Sequence, residues 1–166
     1  MTLVLLAHPD PARSRVNAAL AAAVADLPGV VLHDLAATTG DFDVDAEVRL
    51  LLEHELVVFQ VPFHWYSVPA LLKRWMDDVL IRCLVPATGG SLLRGRTLLV
   101  VTSTGGTAES YARRYPMAEL LLPLESTAHK LGMDFATPLV LHDVRNVGDE
   151  DLALHAKRYR ELLEAS

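Results

Sequence analysis

Short unbroken apolar runs alternate along this chain with longer stretches whose apolar positions recur every three or four residues. Leu3–Ala7 and Thr97–Thr102 are continuous runs, the pattern of strands buried on both faces, and Leu56–Val61, rich in β-branched and aromatic residues, is a further central strand. Val30–His33 and Phe135–Leu141 read as two more strands. Between them, Val16, Ala19, Leu20, Ala23, Val24 and Leu27 share one face of a helix that Pro28-Gly29 ends. A second helix spans Asp45–His54, with Val48, Leu51 and Leu52 inward. Pro69 fits the first turn of a third, which buries Leu72, Trp75, Met76, Val79 and Leu80. Ile81–Gly95 is irregular. Pro123 opens a helix that runs to Leu131 and stops at Gly132. Asp149 or Asp151 is expected to cap a final helix carrying Leu152, Ala156, Tyr159, Leu162 and Leu163.

Strands alternating with helices predict an α/β fold, because parallel neighbours need a crossover that covers the sheet. Five strands and about five helices match a doubly wound parallel sheet of order 2-1-3-4-5. No repeat, low-complexity tract or linker divides residues 1–166, which read as one domain. In such a sheet, ligands bind beyond the carboxyl ends of the strands, where the winding reverses. The loops that leave the first, third and fourth strands there are His8–Asn17, Pro62–Val68 and Ser103–Tyr111. They are also the loops of oddest composition.

The first loop places His8, Ser14, Arg15, Val16 and Asn17 before and inside a helix start. Unpaired amides at a helix N-terminus favour an anion, and a phosphate is the natural guest. Ser14 as a plain helix cap, with solvated arginines, reads the same residues equally well. The second loop sets Phe63, His64, Trp65 and Tyr66 in a row. Four consecutive ring residues on a turn suit a flat conjugated ligand better than a core. The third loop carries Ser103, Thr104, Gly105 and Gly106. The glycines allow close backbone approach to a ligand, or simply a tight turn.

Composition narrows the classes. The chain is 51% hydrophobic and 22% charged, which excludes a disordered chain, and its net charge of −6 argues against nucleic-acid binding. Cys83 is the single cysteine, so no intrachain disulfide forms, which fits a reducing compartment. The apolar run after Met1 lacks a basic segment and ends at His8, too short for a signal peptide or a membrane span. A cytoplasmic location is therefore expected. None of the seven histidines pairs with cysteine or carboxylate at metal-ligand spacing, so no metal site is expected. Gly-x-Ser-x-Gly and Gly-x-Gly-x-x-Gly signatures are both absent.

The chain resembles the NAD(P)H:quinone oxidoreductase family. Within it, the likeness is to the short bacterial flavoproteins ancillary to glutathione-regulated potassium-efflux systems. The matching stretches are A-H-P-x-P-x-x-S-x-V-N at Ala7–Asn17, D-F-D-V-D at Asp41–Asp45 and Q-x-P-x-x-W-Y-S-V-P-x-L-L-K-x-W-x-D at Gln60–Asp77. G-G-x-x-L-x-G-R at Gly89–Arg96, T-G-G at Thr104–Gly106 and P-L-x-x-T-A-x-x-x-G-M at Pro123–Met133 complete the set.

The resemblance implies a flavodoxin-like fold, a homodimer, and a flavin. FMN suits a chain this short better than FAD. It also implies NAD(P)H as donor and a quinone-like acceptor, served in turn at one place on the flavin. His8 and Ser14–Asn17 would hold the phosphate, and Phe63–Tyr66 with Ser103–Gly106 would meet the ring and ribityl chain. Tyr111 falls near where the family places a tyrosine beside the flavin; Tyr111 and His64, the latter where the family commonly has glutamine, are the candidate proton partners. A second implied role is that of a flavin-bearing ancillary subunit of a membrane potassium-efflux transporter. The chain departs from the family pattern at Cys83–Ala87 and after Tyr111, where Arg113, Arg114 and Tyr115 stand and no counterpart of the family's histidine follows.

Overall fold

The structure is a computed structural model that describes residues 1–165. In chain order its elements are β1 (Thr2–Leu6), α1 (Arg15–Val24), β2 (Val30–Asp34), α2 (Val44–Leu52), β3 (Leu56–Pro62) and α3 (Ala70–Val79). They continue with β4 (Leu84–Val85), β5 (Gly90–Ser91), β6 (Thr97–Ser103), α4 (Ala108–Ala112) and α5 (Met117–Leu120). The last are α6 (Leu122–Lys130), β7 (Asp134–Phe135), β8 (Leu139–Leu141) and α7 (Asp149–Glu164).

The main sheet has the order β2-β1-β3-β6-β7, all pairs parallel, with β8 also paired to β6. This is the expected 2-1-3-4-5 arrangement with one correction: the fifth strand is two pieces. Phe135 faces Leu98 and Leu139 faces Val101, so the edge carries one extra residue between the two pieces. Pro138 falls in that gap and has no N–H to give the ladder.

Alternation along each central strand explains the continuous apolar runs. Leu3, Leu5, Val57, Phe59, Leu98 and Val100 face α2, α3 and α6, where Trp75 and Leu72 are fully buried. Val4, Val58, Leu99 and Val101 face α1 and α7 and pack on Leu20, Val24 and Tyr159. Both faces are dry, and the buried polar positions Gln60 and Thr102 fall only near the carboxyl ends of β3 and β6.

Several boundaries differ from expectation. Helix α1 ends at Val24, and Leu27 packs below it from the turn. Pro69 is the N-cap of α3 rather than its first residue. Gly148, not Asp149 or Asp151, caps α7, with no side-chain bond; both aspartates lie in its first turn and favour the helix dipole from there. The Ile81–Gly95 segment contains a 3-10 turn (Leu80–Cys83) and the small β4-β5 hairpin. Cys83 is fully buried and burial raises its thiol pKa, so it is a packing residue. The Gly95-Arg96 step of the family signature is structural too. Gly95 has φ +81°, and the Arg96 guanidinium donates to the carbonyls of Leu52, His54 and Leu92. No helix among the described residues is long and apolar enough to cross a membrane.

Candidate functional site

Parallel pairing brings the carboxyl ends of β1, β3 and β6 side by side, and with them the three loops. In the first, Ser14 is the N-cap of α1. Its hydroxyl accepts from the Asn17 amide N–H (3.2 Å) and from Asn17 Nδ2 (3.1 Å). The Asn17 carbonyl takes Gln60 Nε2 at 2.9 Å, which ties the helix start to β3. Ser14 and Asn17 thus lock each other, while the amides of Arg15 and Val16 have no acceptor among the described residues. The Arg15 guanidinium turns away to Asp149 and the Val147 carbonyl, and the Val16 side chain is buried, so both present only backbone donors here.

His8 Nδ1 accepts from the Asp10 amide at 3.0 Å. The neutral ring therefore carries its proton on Nε2 and offers a donor. Burial lowers its pKa, an effect the Asp10 hydrogen bond opposes and the neighbouring His64 reinforces. The His8 and His64 rings meet edge-on at 6.5 Å, joining loops one and two.

In the second loop, His64 and Ser67 exchange two backbone hydrogen bonds of 2.9 Å. Trp65 and Tyr66 form the turn between them at φ +49° and +62°. Left-handed backbone is costly for bulky residues, and glycine or asparagine is the usual occupant of such a turn. Yet Trp65 is 94% exposed and Tyr66 57%. Two large rings held outward in a strained turn gain nothing from the core. Phe63 is different: it is buried, and its ring supports Tyr111 edge-on at 6.3 Å.

In the third loop, Ser103 and Thr104 are buried and Gly105 and Gly106 reach the surface. A Cβ on Gly106 would lie 3.0 Å from Ser110 Oγ and 3.1 Å from Tyr111 Cε2, so a side chain here would need Ser110 or Tyr111 to give way. Beside it opens a cleft of about 630 Å³ shared by Tyr66, Gly106 and Tyr111.

The structure adds His142, at the end of β8, which the three-loop reading missed. Its ring lies 5.7 Å from that of Tyr111. Thr104 Oγ1 donates its single proton to the Gly106 carbonyl (2.9 Å) and contacts His142 Nδ1 (2.9 Å). The hydroxyl can then only accept from His142, so Nδ1 carries the proton and Nε2 presents a lone pair. Burial lowers the His142 pKa against the opposing Gly106 hydrogen bond, and this favours the neutral ring. Asp143 follows at φ +55°, its amide bonded to the Gly106 carbonyl. The signal was available: His142 follows an apolar run as directly as His8 does.

An open helix N-terminus, outward aromatic rings and a glycine that keeps a gap clear together fit a flat ligand with a phosphate tail. The family described as a flavodoxin-like fold matches residues 1–163. The glutathione-regulated potassium-efflux system ancillary protein KefG of Pectobacterium atrosepticum is 39% identical over 169 residues, 98% of this chain and 92% of that protein. General stress protein 14 of Treponema denticola, solved in complex with FMN, superposes with a TM-score of 0.88 at 31% identity over 99% of this chain and 98% of that one. An NADPH-quinone reductase of P. pentosaceus gives 0.86 at 30% identity over 98% and 96%. The chain belongs to the flavodoxin-like NAD(P)H quinone reductase family.

Proposed function

We propose that this chain binds FMN across its three loops and reduces a quinone-like acceptor with NAD(P)H. The carrying observation is the Trp65-Tyr66 turn, which holds two rings outward in strained backbone, with Tyr66 on the cleft that Gly106 also lines. In the overall reaction, NAD(P)H, one proton and the acceptor yield NAD(P)⁺ and the acceptor reduced by two electrons. Bound flavin supplies the hydride chemistry, as a cofactor does, and the protein supplies binding, orientation and electrostatics.

The phosphate is held by the open amides of Arg15 and Val16, the N-cap Ser14 with Asn17, and the Nε2–H of His8. Trp65 and Tyr66 would wall the ring, Phe63 backs Tyr111 on the cleft that Tyr66 also lines, and Gly105 and Gly106 would approach with backbone while Ser103 and Thr104 stay buried beneath them. Tyr111 donates a hydrogen bond to the acceptor: burial, then Tyr66, raises its pKa and keeps the phenol protonated. His142 Nε2 and His64 are the further proton partners. Gly106→Ala is expected to displace Tyr111 and weaken FMN binding about tenfold, at a stability cost of about 1 kcal/mol. Titration with FMN and thermal unfolding measure the two.

The protein is proposed to act in the cytoplasm as a homodimer. Likeness to KefG over nearly the whole chain supports a second reading, a flavin-bearing ancillary subunit of a potassium-efflux transporter.

The deciding experiment is the visible spectrum of the purified protein, followed by NADH or NADPH without oxygen. A flavin spectrum that bleaches is the expected result. A flavin that stays oxidised would favour the ancillary reading. No flavin, even after reconstitution with FMN and FAD, would overturn the proposal.

A further inference from the structure

The cleft beside Gly106 has walls of a particular chemistry. Tyr66, Tyr111 and Tyr115 supply flat faces, Arg113 and Arg114 supply charge, and no carboxylate among the described residues lines it. The chain as a whole carries −6, so a cationic cleft is not a by-product of overall charge. The two arginines are in different states. Arg113 is paired with Glu109, one helical turn earlier in α4. Arg114, exposed at the cleft, has no ion pair or hydrogen bond from its guanidinium among the described residues. An arginine beside aromatic faces, with its planar fork unspent, is suited to carboxylate, sulfonate or phosphate carried by a stacked ring.

We infer that this cleft selects conjugated planar molecules bearing a negative charge, with Arg114 as the specificity-determining residue. For turnover the inference rests on the reductase reading above; for binding it does not. The charge has two possible bearers, the acceptor itself or the ribose phosphate that distinguishes NADPH from NADH.

Two measurements on the flavin-reconstituted protein test it. The first is calorimetric binding of naphthalene sulfonate, which needs no turnover. Arg114→Gln is expected to weaken it about tenfold, the size of a charge-assisted contact partly screened by solvent. Glu109→Gln, which releases Arg113, is expected to strengthen it about twofold. Raising salt should weaken wild-type binding.

The second is steady-state reduction of menadione, which is neutral, against naphthoquinone sulfonate, which puts a fixed charge on the same ring system, each with NADH and with NADPH. If the acceptor bears the charge, Arg114→Gln lowers the sulfonate-to-menadione preference about tenfold, through KM. If the donor bears it, the NADPH-to-NADH preference falls instead. Naphthalene sulfonate binding that is equal in wild type and Arg114→Gln, with both preferences unmoved, would overturn the inference. Protein that binds the sulfonate through Arg114 but never bleaches with NAD(P)H would keep the inference and sink the reductase reading.

Discussion

The double variant Trp65→Asn, Tyr66→Gly is expected to melt higher than the wild type while losing most of its affinity for FMN. Both residues sit in left-handed backbone, which costs roughly 1 kcal/mol for each bulky side chain. Asn-Gly is the pair this two-residue turn prefers. The wild-type rings offer the folded chain little in exchange, with Trp65 94% exposed. A gain of about 1–2 kcal/mol would raise Tm by about 3–6 °C. Removing two stacking faces at about 1.4 kcal/mol each should raise the Kd for FMN roughly a hundredfold. Differential scanning calorimetry of the flavin-free protein and titration with FMN measure the opposed effects. A variant that gains stability and keeps wild-type FMN affinity would show that the turn is strained for some purpose other than flavin.

Glu47→Ala is expected to destabilise the fold by about 3 kcal/mol, lowering Tm by about 10 °C. Glu47 is buried beneath α3 and accepts Trp75 Nε1–H at 2.8 Å. His33 Nε2 meets both its oxygens, at 2.9 and 3.1 Å. Trp75 has no exposure, so losing the acceptor strands a buried N–H in the core beside Phe59.

Titration separates the charge from the hydrogen bond. Burial pushes the Glu47 pKa up, but the His33 and Trp75 bonds outweigh it and leave the carboxyl below its ordinary 4.5. The Glu47 bond, against burial, holds His33 above its ordinary 6.5. The carboxylate's contribution is complete above 4.5 and is lost as pH falls through its lowered folded value. The imidazole's is complete below 6.5 and is lost as pH rises through its raised folded value. The Tm gap between wild type and Glu47→Gln should therefore be widest between those two values and narrow on either side. A gap that stays flat from acid to alkaline pH would leave the Trp75 hydrogen bond as the whole effect.

Much of the fold, and the place where its three loops gather, was legible in order along the chain. Leu3–Ala7 and Leu56–Val61 announce central strands because both their faces are dry, and the loops behind them inherit their position from strand direction alone. The unusual composition of His8–Asn17, Pro62–Val68 and Ser103–Tyr111 therefore marked places in space as well as in sequence. The short helices α4 and α5 were missed because neither has a buried residue to give it a period. The break at Pro138 was missed because a proline on an edge strand leaves the apolar pattern intact.

What the residues alone determined is the sheet order, the dry faces and the three loops that gather at the switch point, since each follows from local period and chain direction. What only the tertiary structure decided is how distant residues complete one another. Asp149 draws the Arg15 guanidinium away from the open amides at the start of α1, and Thr104 sets the His142 tautomer across 38 residues. Glu47 closes on His33 and Trp75, and Arg114 is left unpaired among the described residues, beside three tyrosines. Hydrogen bonds and charges of that kind act over a few ångströms in space, and no period along the chain encodes them.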